Sequence, residues 1–341
     1  MTGDDCLMYG LKKTKDIRII KYLIENLCTD KNYHNNKCQN YLMVACQWNH
    51  NLETIKYFIE EVGINIHDIA CGTKCLMLAC QFNQNLDVVK YLMRMISPQE
   101  TSGVFNCFEL SCMSNKSIEV IKYLQSIYGV NWSHDAKYLL NGCGHNDLEI
   151  VKYLVEETVG IFGKNDEKMI KCLISACQHN TCTQVIDFLI NQLSDNVNMD
   201  LIKKDISDAL MKNGCGKIIE YMIKEHGIDP KFKNANGENY LMILCGKKKE
   251  YDNYYDFETI KYLIDVANID LGDVDNQNQN CLMHACRYAR NLRIVKYLIN
   301  EKKMDPLITD NAGNNCLSIA CLMNSDQDII QFLVRDLKID P

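Results

Sequence analysis

Apolar residues recur at helical spacing along most of the chain, and LETIKYFIEEV (52–62) shows the pattern clearly. Leu52, Ile55, Phe58 and Val62 lie three or four residues apart, which places them along one side of an α-helix. Polar and charged residues fill most of the intervening positions. The segment is therefore predicted to be an amphipathic helix that buries one face.

The same helix is predicted many times, because a phrase that most often reads KYL recurs at intervals of 30 to 41 residues. A repeat of this length is typical of solenoid proteins, in which each copy forms one supersecondary unit. The aromatic residues of the ten copies are Tyr22, Tyr57, Tyr91, Tyr123, Tyr153, Phe188, Tyr221, Tyr262, Tyr297 and Phe332.

A second shared phrase stands upstream of each aromatic residue, as in NYLMVAC (40–46) and NCLMHAC (280–286). It predicts a first helix of about eight residues, in which Leu and Met alternate with a small pair such as Ala-Cys. Asn or Asp usually precedes this helix and is a favoured N-cap, because its side-chain oxygen accepts a hydrogen bond from a free backbone N–H. The predicted caps are Asp5, Asn40, Asn106, Asp208, Asn239, Asn280 and Asn315.

Polar segments with turn-forming dipeptides separate the copies, as in IDPKFKNANGENY (228–240). One helix pair is too small to bury both of its faces, whereas stacked pairs bury a continuous core. We therefore predict an all-α solenoid of helix-turn-helix units with short β-hairpin or loop fingers, forming a single domain over 1–341. The ten predicted units are 4–34, 35–67, 68–98, 99–131, 132–160, 161–198, 199–229, 230–268, 269–305 and 306–341.

These units resemble the ankyrin repeat, whose pattern is D-x-x-G-x-T-P-L-H-x-A-A followed by V-V-K-L-L-L. DNAGNNCLSIAC (310–321) aligns with the first part without gaps and has Gly313 at the turn. Residues 234–245 align in the same way, with Gly237 at the turn. The resemblance covers all ten units. It implies a protein-binding scaffold that uses its finger tips and the concave face of its first helices.

The chain departs from the ankyrin pattern in a systematic way. Thr-Pro is absent, the family's His is mostly Met or Leu, and the loop between the two helices is usually one residue longer. Capping by Asn is expected to replace the family's Thr–His hydrogen bond. An insertion of about six residues within 246–258 explains the longest interval between copies. The heavy use of Asn, Lys, Ile, Tyr and Cys resembles ankyrin proteins of giant DNA viruses.

Composition excludes several classes of function. The net charge of −7 and the isoelectric point near 5.7 argue against nucleic-acid binding, which normally needs a basic surface. No apolar run is long enough to span a bilayer, and the acidic N-terminus is unlike a secretory signal. We expect no nucleic acid and no membrane among its partners, and a cytoplasmic location, which is the host cytoplasm if the protein is viral.

The chain contains 19 cysteines, most of them at small-residue positions of the first helix. Two cysteines five residues apart point about 140° apart on a helix, so they cannot share a metal ion or form a local disulfide. They are predicted to be reduced, buried packing residues in a reducing compartment. Cys71 and Cys75 form a C-x3-C pair with no second ligand pair, so no metal site is expected.

No catalytic or cofactor-binding pattern is evident. GCGHND (142–147) brings Gly, His and Asp together, but it falls at the loop between the helices of one repeat. GKNDEK (163–168) and CGKKKE (245–250) lack the spacing of a phosphate-binding loop. The protein is therefore predicted to be non-enzymatic and to need no cofactor.

Lysine precedes the aromatic residue in seven copies, and an acidic residue lies three positions before that lysine in five of them. Residues three apart are neighbours on a helix. We therefore expect ion pairs on a solvated face, with a basic stripe that binds phosphates as the alternative.

The two positions after the Ala-Cys pair are predicted to face the concave groove. They vary between copies, often with a large aromatic or thioether group beside a polar one, and Trp and Tyr contribute strongly to interfaces. The alternative is that these side chains seal the stack of repeats. The predicted groove residues are Gln47, Trp48, Gln81, Phe82, His179, Arg287, Tyr288 and Met323, and the predicted polar rim is Asn236, Glu238, Gln277, Gln279, Asn311 and Asn314.

The predicted function is that of a monomeric, non-enzymatic scaffold for a protein partner. The alternative is a substrate-recruiting adaptor of a ubiquitin ligase acting as a viral host-interaction factor. Viral ankyrin proteins often carry a C-terminal F-box-like segment for this purpose. Because the sequence stops inside the repeat frame at 339–341, that segment is expected to be missing or to lie outside this chain.

Overall fold

The computed structural model describes residues 4–26, 30, 33–70, 73–96, 107–128, 136–162, 166–247, 254–288, 292–323 and 327–339. The chain forms two compact units, Met1–Cys172 and Leu173–Pro341. Within the described ranges each unit consists of consecutive helix pairs. The predicted all-α repeat fold is confirmed, while the boundaries of the ten units stay a prediction.

In Met1–Cys172 the first helices of successive pairs pack against one another, and each is followed by a second helix. The first helices are α1 (Cys6–Lys13), α3 (Tyr41–Trp48), α5 (Cys75–Phe82), α7 (Cys107–Ser114) and α9 (Ala136–His145). The second helices are α2 (Ile17–Asn26), α4 (Leu52–Lys56), α6 (Leu86–Met95), α8 (Ile118–Tyr128) and α10 (Leu148–Phe162). Helix α4 continues as a π-helical turn over Tyr57–Glu61.

The unit Leu173–Pro341 also alternates first and second helices along the chain. Helix α11 (Asp166–His179) ends inside it. Its other first helices are α13 (Met199–Asn213), α15 (Tyr240–Cys245), α17 (Cys281–Tyr288) and α19 (Cys316–Met323). Its second helices are α12 (Thr183–Gln192), α14 (Gly216–His226), α16 (Tyr254–Asp265), α18 (Leu292–Lys296) and α20 (Gln327–Gln331), and π-helical turns over Tyr297–Glu301 and Phe332–Asp336 continue the last two.

Six of the ten first helices have the predicted length of eight residues, and five of the predicted caps form. Asn40 accepts a hydrogen bond from the backbone N–H of Met43 at 2.9 Å, and Asn239 accepts one from Met242 at 3.0 Å. The cap satisfies a donor that the helix itself leaves free. The same bond, with the third residue beyond the cap as donor, forms at Asp5, Asn280 and Asn315.

Two first helices are nearly twice the predicted length, because helix replaces the finger. Helix α11 has 14 residues and α13 has 15. Asp208 therefore lies inside α13 and does not cap it. Asn198 is the actual cap, accepting from the backbone N–H of Asp200 at 3.0 Å. The predicted cap Asn106 lies outside the described residues.

The fingers are short turns, and one contains a two-stranded hairpin of β1 (Ile69–Ala70) and β2 (Thr73–Lys74). Another closes with a single bridge between Lys233 and Asn239. Gly237 and Gly313 have φ of 78° and 81°, a region that glycine enters without strain. The predicted turns at these glycines are confirmed.

Asparagines where the first helix of a repeat ends join consecutive repeats, and most of them are buried. Asn83 Nδ2 donates to the backbone carbonyls of Cys46 and Asn49, at 3.0 and 2.9 Å. Asn83 Oδ1 accepts from the backbone N–H of Asn85 at 3.0 Å. We call this series the asparagine ladder, and its members that donate to the preceding repeat are Asn49, Asn83, Asn115, Asn146 and Asn213.

Lys247 takes the place of the next asparagine. Its ammonium donates to the carbonyls of Asn213 and Gly214 at 3.3 and 2.8 Å. Burial lowers the pKa of Lys247 from its ordinary value. Lys247 precedes most of the predicted insertion, of which residues 248–253 lie outside the described ranges.

Candidate protein-binding face

Two aromatic side chains stack at the ends of neighbouring first helices. The rings of Trp48 and Phe82 have centroids 6.5 Å apart and an interplanar angle of 9°. Trp48 is 49% exposed, so a large part of the indole faces solvent. Because α3 and α5 are in register, the same sequence position in two repeats forms one continuous aromatic surface.

Polar groups beside this stack already have partners within the protein. Gln39 Nε2 donates to Gln47 Oε1 at 3.0 Å. Gln81 Nε2 donates to Ser114 Oγ at 3.4 Å, a long contact between repeats. The side chains of Gln47 and Gln81 are half-buried. The predicted residues Gln47, Trp48, Gln81 and Phe82 thus lie at the ends of adjacent first helices in Met1–Cys172, with an apolar centre and amides at its side.

In Leu173–Pro341 three successive fingers share one turn geometry. In each finger an Asn or Asp oxygen accepts from the backbone N–H groups two and four residues later. Asp310 Oδ1 accepts from Ala312 and Asn314, both at 2.9 Å. Asn234 and Asp275 hold their fingers in the same way. This repeated turn fixes the backbone of the fingers.

Neighbouring fingers are also bonded to each other. The backbone N–H of Asn276 donates to the carbonyl of Asn236 at 2.9 Å. The N–H of Asn311 donates to the carbonyl of Gln277 at 3.0 Å. The finger tips therefore form a continuous row within this unit.

Gln279 lies beneath the row and not at its surface. It is 4% exposed, its Nε2 donates to Asp310 Oδ2 at 2.7 Å, and its Oε1 accepts from Arg287. Burial raises the pKa of Asp310, but hydrogen bonds from Asn314 and Gln279 outweigh that effect and hold it below its ordinary value. Gln279 and Arg287 therefore link a first helix to the next finger.

The other predicted residues lie as follows. Met323 is 59% exposed at the end of α19, and His179 is exposed at the end of α11. The side chain of Tyr288 lies outside the described part of the structure. In the finger row Asn236, Gln277 and Asn311 are exposed, while Glu238 and Asn314 are half-buried.

Thiol pairs across repeats are a feature that the sequence analysis missed. A cysteine near the end of one first helix hydrogen-bonds a cysteine near the start of the next, as Cys46 does with Cys75. Burial, together with the neighbouring thiol, raises the pKa of Cys46 well above its ordinary value. A spacing analysis within one helix could not detect this, because the partner belongs to the next repeat. The other pairs are Cys80–Cys107, Cys143–Cys172, Cys245–Cys281 and Cys286–Cys316.

The lysine before each aromatic residue contacts mainly the next repeat. The predicted ion pair within one helix forms between Lys56 and Glu53 at 2.9 Å. Other lysines lie over the ring of the following repeat, as Lys122 does over Tyr153 at 4.9 Å. This contact is a cation–π interaction. The other lysines that lie over the following ring are Lys21, Lys90, Lys261 and Lys296.

A family model for ankyrin repeats (3 copies) matches residues 7–102, 206–310 and 251–341. These ranges cover more than half of the chain, so the chain belongs to the ankyrin-repeat family. The predicted family is thereby confirmed. A search of curated proteins gave no match. Among the described residues, no helix is both long and apolar enough to cross a bilayer.

Proposed function

We propose that the protein is a non-enzymatic scaffold that binds a protein partner along the face formed by the ends of its first helices and its fingers. The observation that carries the proposal is the exposed stack of Trp48 on Phe82. Large aromatic side chains with few rotamers contribute strongly to protein interfaces. A half-exposed indole on a rigid helix end is suited to that role.

The finger row supports the same proposal. Its backbone is fixed by side-chain hydrogen bonds, so little conformational entropy would be lost when a partner binds. Asn236, Gln277 and Asn311 present amide groups to solvent, and such groups both donate and accept hydrogen bonds. We propose these residues as the polar rim, with Glu238, Asn314 and Met323 beside them.

We further propose that the protein acts as a monomer in a reducing compartment such as the cytoplasm, where free thiols persist. The described cysteines form no disulfide, and most of them are buried. A viral origin would make this the cytoplasm of the host.

The test begins with a pull-down by the wild-type chain and identification of its partner by mass spectrometry. The affinity of that partner is then measured for Trp48→Ala and for Leu201→Ala. The control removes an apolar side chain that is 77% exposed on α13. Trp48→Ala should weaken binding by about 2 kcal/mol with little change in melting temperature, and Leu201→Ala should leave binding unchanged.

The opposite pattern would overturn the assignment of this face. If Trp48→Ala lowers the melting temperature and leaves the affinity unchanged, the indole seals the stack and does not bind. Recovery of ubiquitin-ligase subunits together with a substrate protein would instead support the adaptor function.

A further inference from the structure

The second helices of Leu173–Pro341 contain a groove that the proposed function does not use. The groove lies between α16 and α18 and has a volume of about 460 Å³. Its floor includes the rings of Phe257 and Tyr297, both largely buried, and its walls include Lys261, Arg293, Lys296 and Glu301. We call it the basic groove.

Two cations share one aromatic ring in the basic groove. The guanidinium carbon of Arg293 lies 3.8 Å from the centroid of Phe257, and Lys261 Nζ lies 5.1 Å from the same centroid. A guanidinium stacked on a ring keeps its N–H donors at the edge, where they can bind an oxyanion in a bidentate manner. The aromatic floor thus orients Arg293 without using its hydrogen bonds.

No carboxylate among the described residues forms a close ion pair with the cations of the groove, although Lys261 interacts at longer range with Asp265. Lys261, Arg293 and Lys296 form no ion pair there. Lys302, close by, is paired with Asp265. Of the described lining residues only Glu301 is acidic, and Glu258 lines a neighbouring depression. Three cations facing one carboxylate give an uncompensated positive site in a chain of net charge −7.

The spacing of these charges indicates the kind of ligand. Arg293 and Lys261 meet over Phe257, whereas Lys296 lies toward Phe332, with Nζ 5.2 Å from that ring. The positive charge is therefore spread along two helices and does not converge on one point. Several single carboxylates on an extended chain match this spread better than one phosphate dianion, and the methylene stems of Asp and Glu can contact the rings.

We propose that the basic groove binds an acidic peptide segment, rich in Asp and Glu, of a partner protein. The cations would attract the acidic segment, and the aromatic floor would contact the methylene groups of its Asp and Glu side chains. The groove is formed by second helices of Leu173–Pro341, whereas Trp48 belongs to a first helix of Met1–Cys172. The two proposals can therefore fail independently.

The test uses fluorescence anisotropy with a labelled peptide of alternating Glu and Gly, and a matched peptide with Gln in place of Glu. Wild-type protein should bind the Glu peptide at least about tenfold more tightly than the Gln peptide, and added salt should weaken that binding. The double variant Arg293→Gln/Lys296→Gln should lose about tenfold in affinity. The control Lys204→Gln/Lys231→Gln removes the same charge at exposed sites outside the groove and should bind as the wild type does.

Three results would overturn the proposal. One is equal affinity for the Glu and Gln peptides. Another is an equal loss of affinity in both double variants, which would indicate a general effect of charge. The third is binding of a phosphoserine peptide without binding of the Glu peptide, which would assign the groove to phosphate. Circular dichroism of each variant confirms that the repeats remain folded.

Discussion

The side-chain amide of Asn83 donates a hydrogen bond to the backbone carbonyl of Asn49 at 2.9 Å, so the loop of one repeat is held by the loop of the next. Its other donor hydrogen reaches the carbonyl of Cys46 near the end of α3. Carbonyls in the last turn of a helix have no partner inside the helix. The asparagine ladder therefore satisfies buried helix ends and sets the spacing between repeats.

Replacing Asn83 with alanine should destabilise the protein by about 3 kcal/mol. Two carbonyls and the backbone N–H of Asn85 would lose a partner in a buried site, and each unsatisfied group costs about 1–3 kcal/mol, partly offset by relaxation. Asn83→Asp should destabilise the protein more than Asn83→Ala does, because a carboxylate cannot donate a hydrogen bond and its charge would be buried. Urea denaturation measures both changes.

Gln84→Ala is the matched control, since Gln84 is exposed and adjacent. It should change stability by less than about 0.5 kcal/mol. An Asn83→Ala variant as stable as Gln84→Ala would show that the ladder does not contribute to stability.

The elements of the fold could be predicted from the sequence because they depend on local rules. Helical spacing in 52–62, capping at Asn40 and the turn at Gly313 each follow from the residue and its close neighbours. The contacts that the inter-helix loop makes with the preceding repeat could not be predicted by such rules. Asn83 forms hydrogen bonds with carbonyls more than thirty residues away in the sequence. Rules based on neighbouring residues cannot predict such contacts.

The contact of Lys122 with Tyr153 leads to a test of how neighbouring repeats are joined. A double-mutant cycle of Lys122→Met and Tyr153→Leu should give a coupling energy of about 0.5–1 kcal/mol, as expected for a cation–π contact near the surface. The cycle of Lys122→Met and Glu119→Gln should give a value near zero. If the coupling energy of Lys122 with Glu119 exceeds that with Tyr153, the ion pair predicted from the sequence is the main contact of Lys122.

The candidate binding residues illustrate the same limit. Trp48 and Phe82 were predicted from their position in the repeat, and the structure brings their rings together. Gln279 was predicted at the polar rim from its place in a finger, yet it is buried between Arg287 and Asp310. Its burial depends on contacts with the neighbouring finger, and these cannot be predicted from the sequence of a single repeat.

Most thiols should react slowly with a reagent such as Ellman's in the native protein. Burial raises the pKa of Cys177 to about 12, so about one thiol in ten thousand is ionised at pH 8. Cys6, Cys38 and Cys321 are exposed and should account for the fast reaction. The measurement uses a protein with Cys28→Ser and Cys71→Ser, because those two cysteines lie outside the described residues.

Replacing the three exposed cysteines with serine should remove most of the fast phase, while denaturation should release the rest. Rapid labelling of the remaining thiols without denaturant would contradict the burial of the thiol pairs.

The finger held by Asp310 should make stability depend on pH in the acid range. The folded-state pKa of Asp310 lies below its ordinary value, so the folded state binds a proton less readily than the unfolded chain does. The stabilisation is therefore complete above the ordinary carboxyl pKa of about 4 and is lost as the pH falls through the lowered pKa.

Asp310→Asn should reduce this dependence of stability on pH, because Asn234 shows that asparagine can hold the same turn. It should also lower stability at neutral pH, since Gln279 would lose a charged acceptor. The urea midpoint from pH 7 down to the acid transition measures both effects, with the exposed Asp336→Asn as control. An Asp310→Asn protein that retains the full acid dependence of the wild type would show that the depressed pKa of Asp310 is not its source.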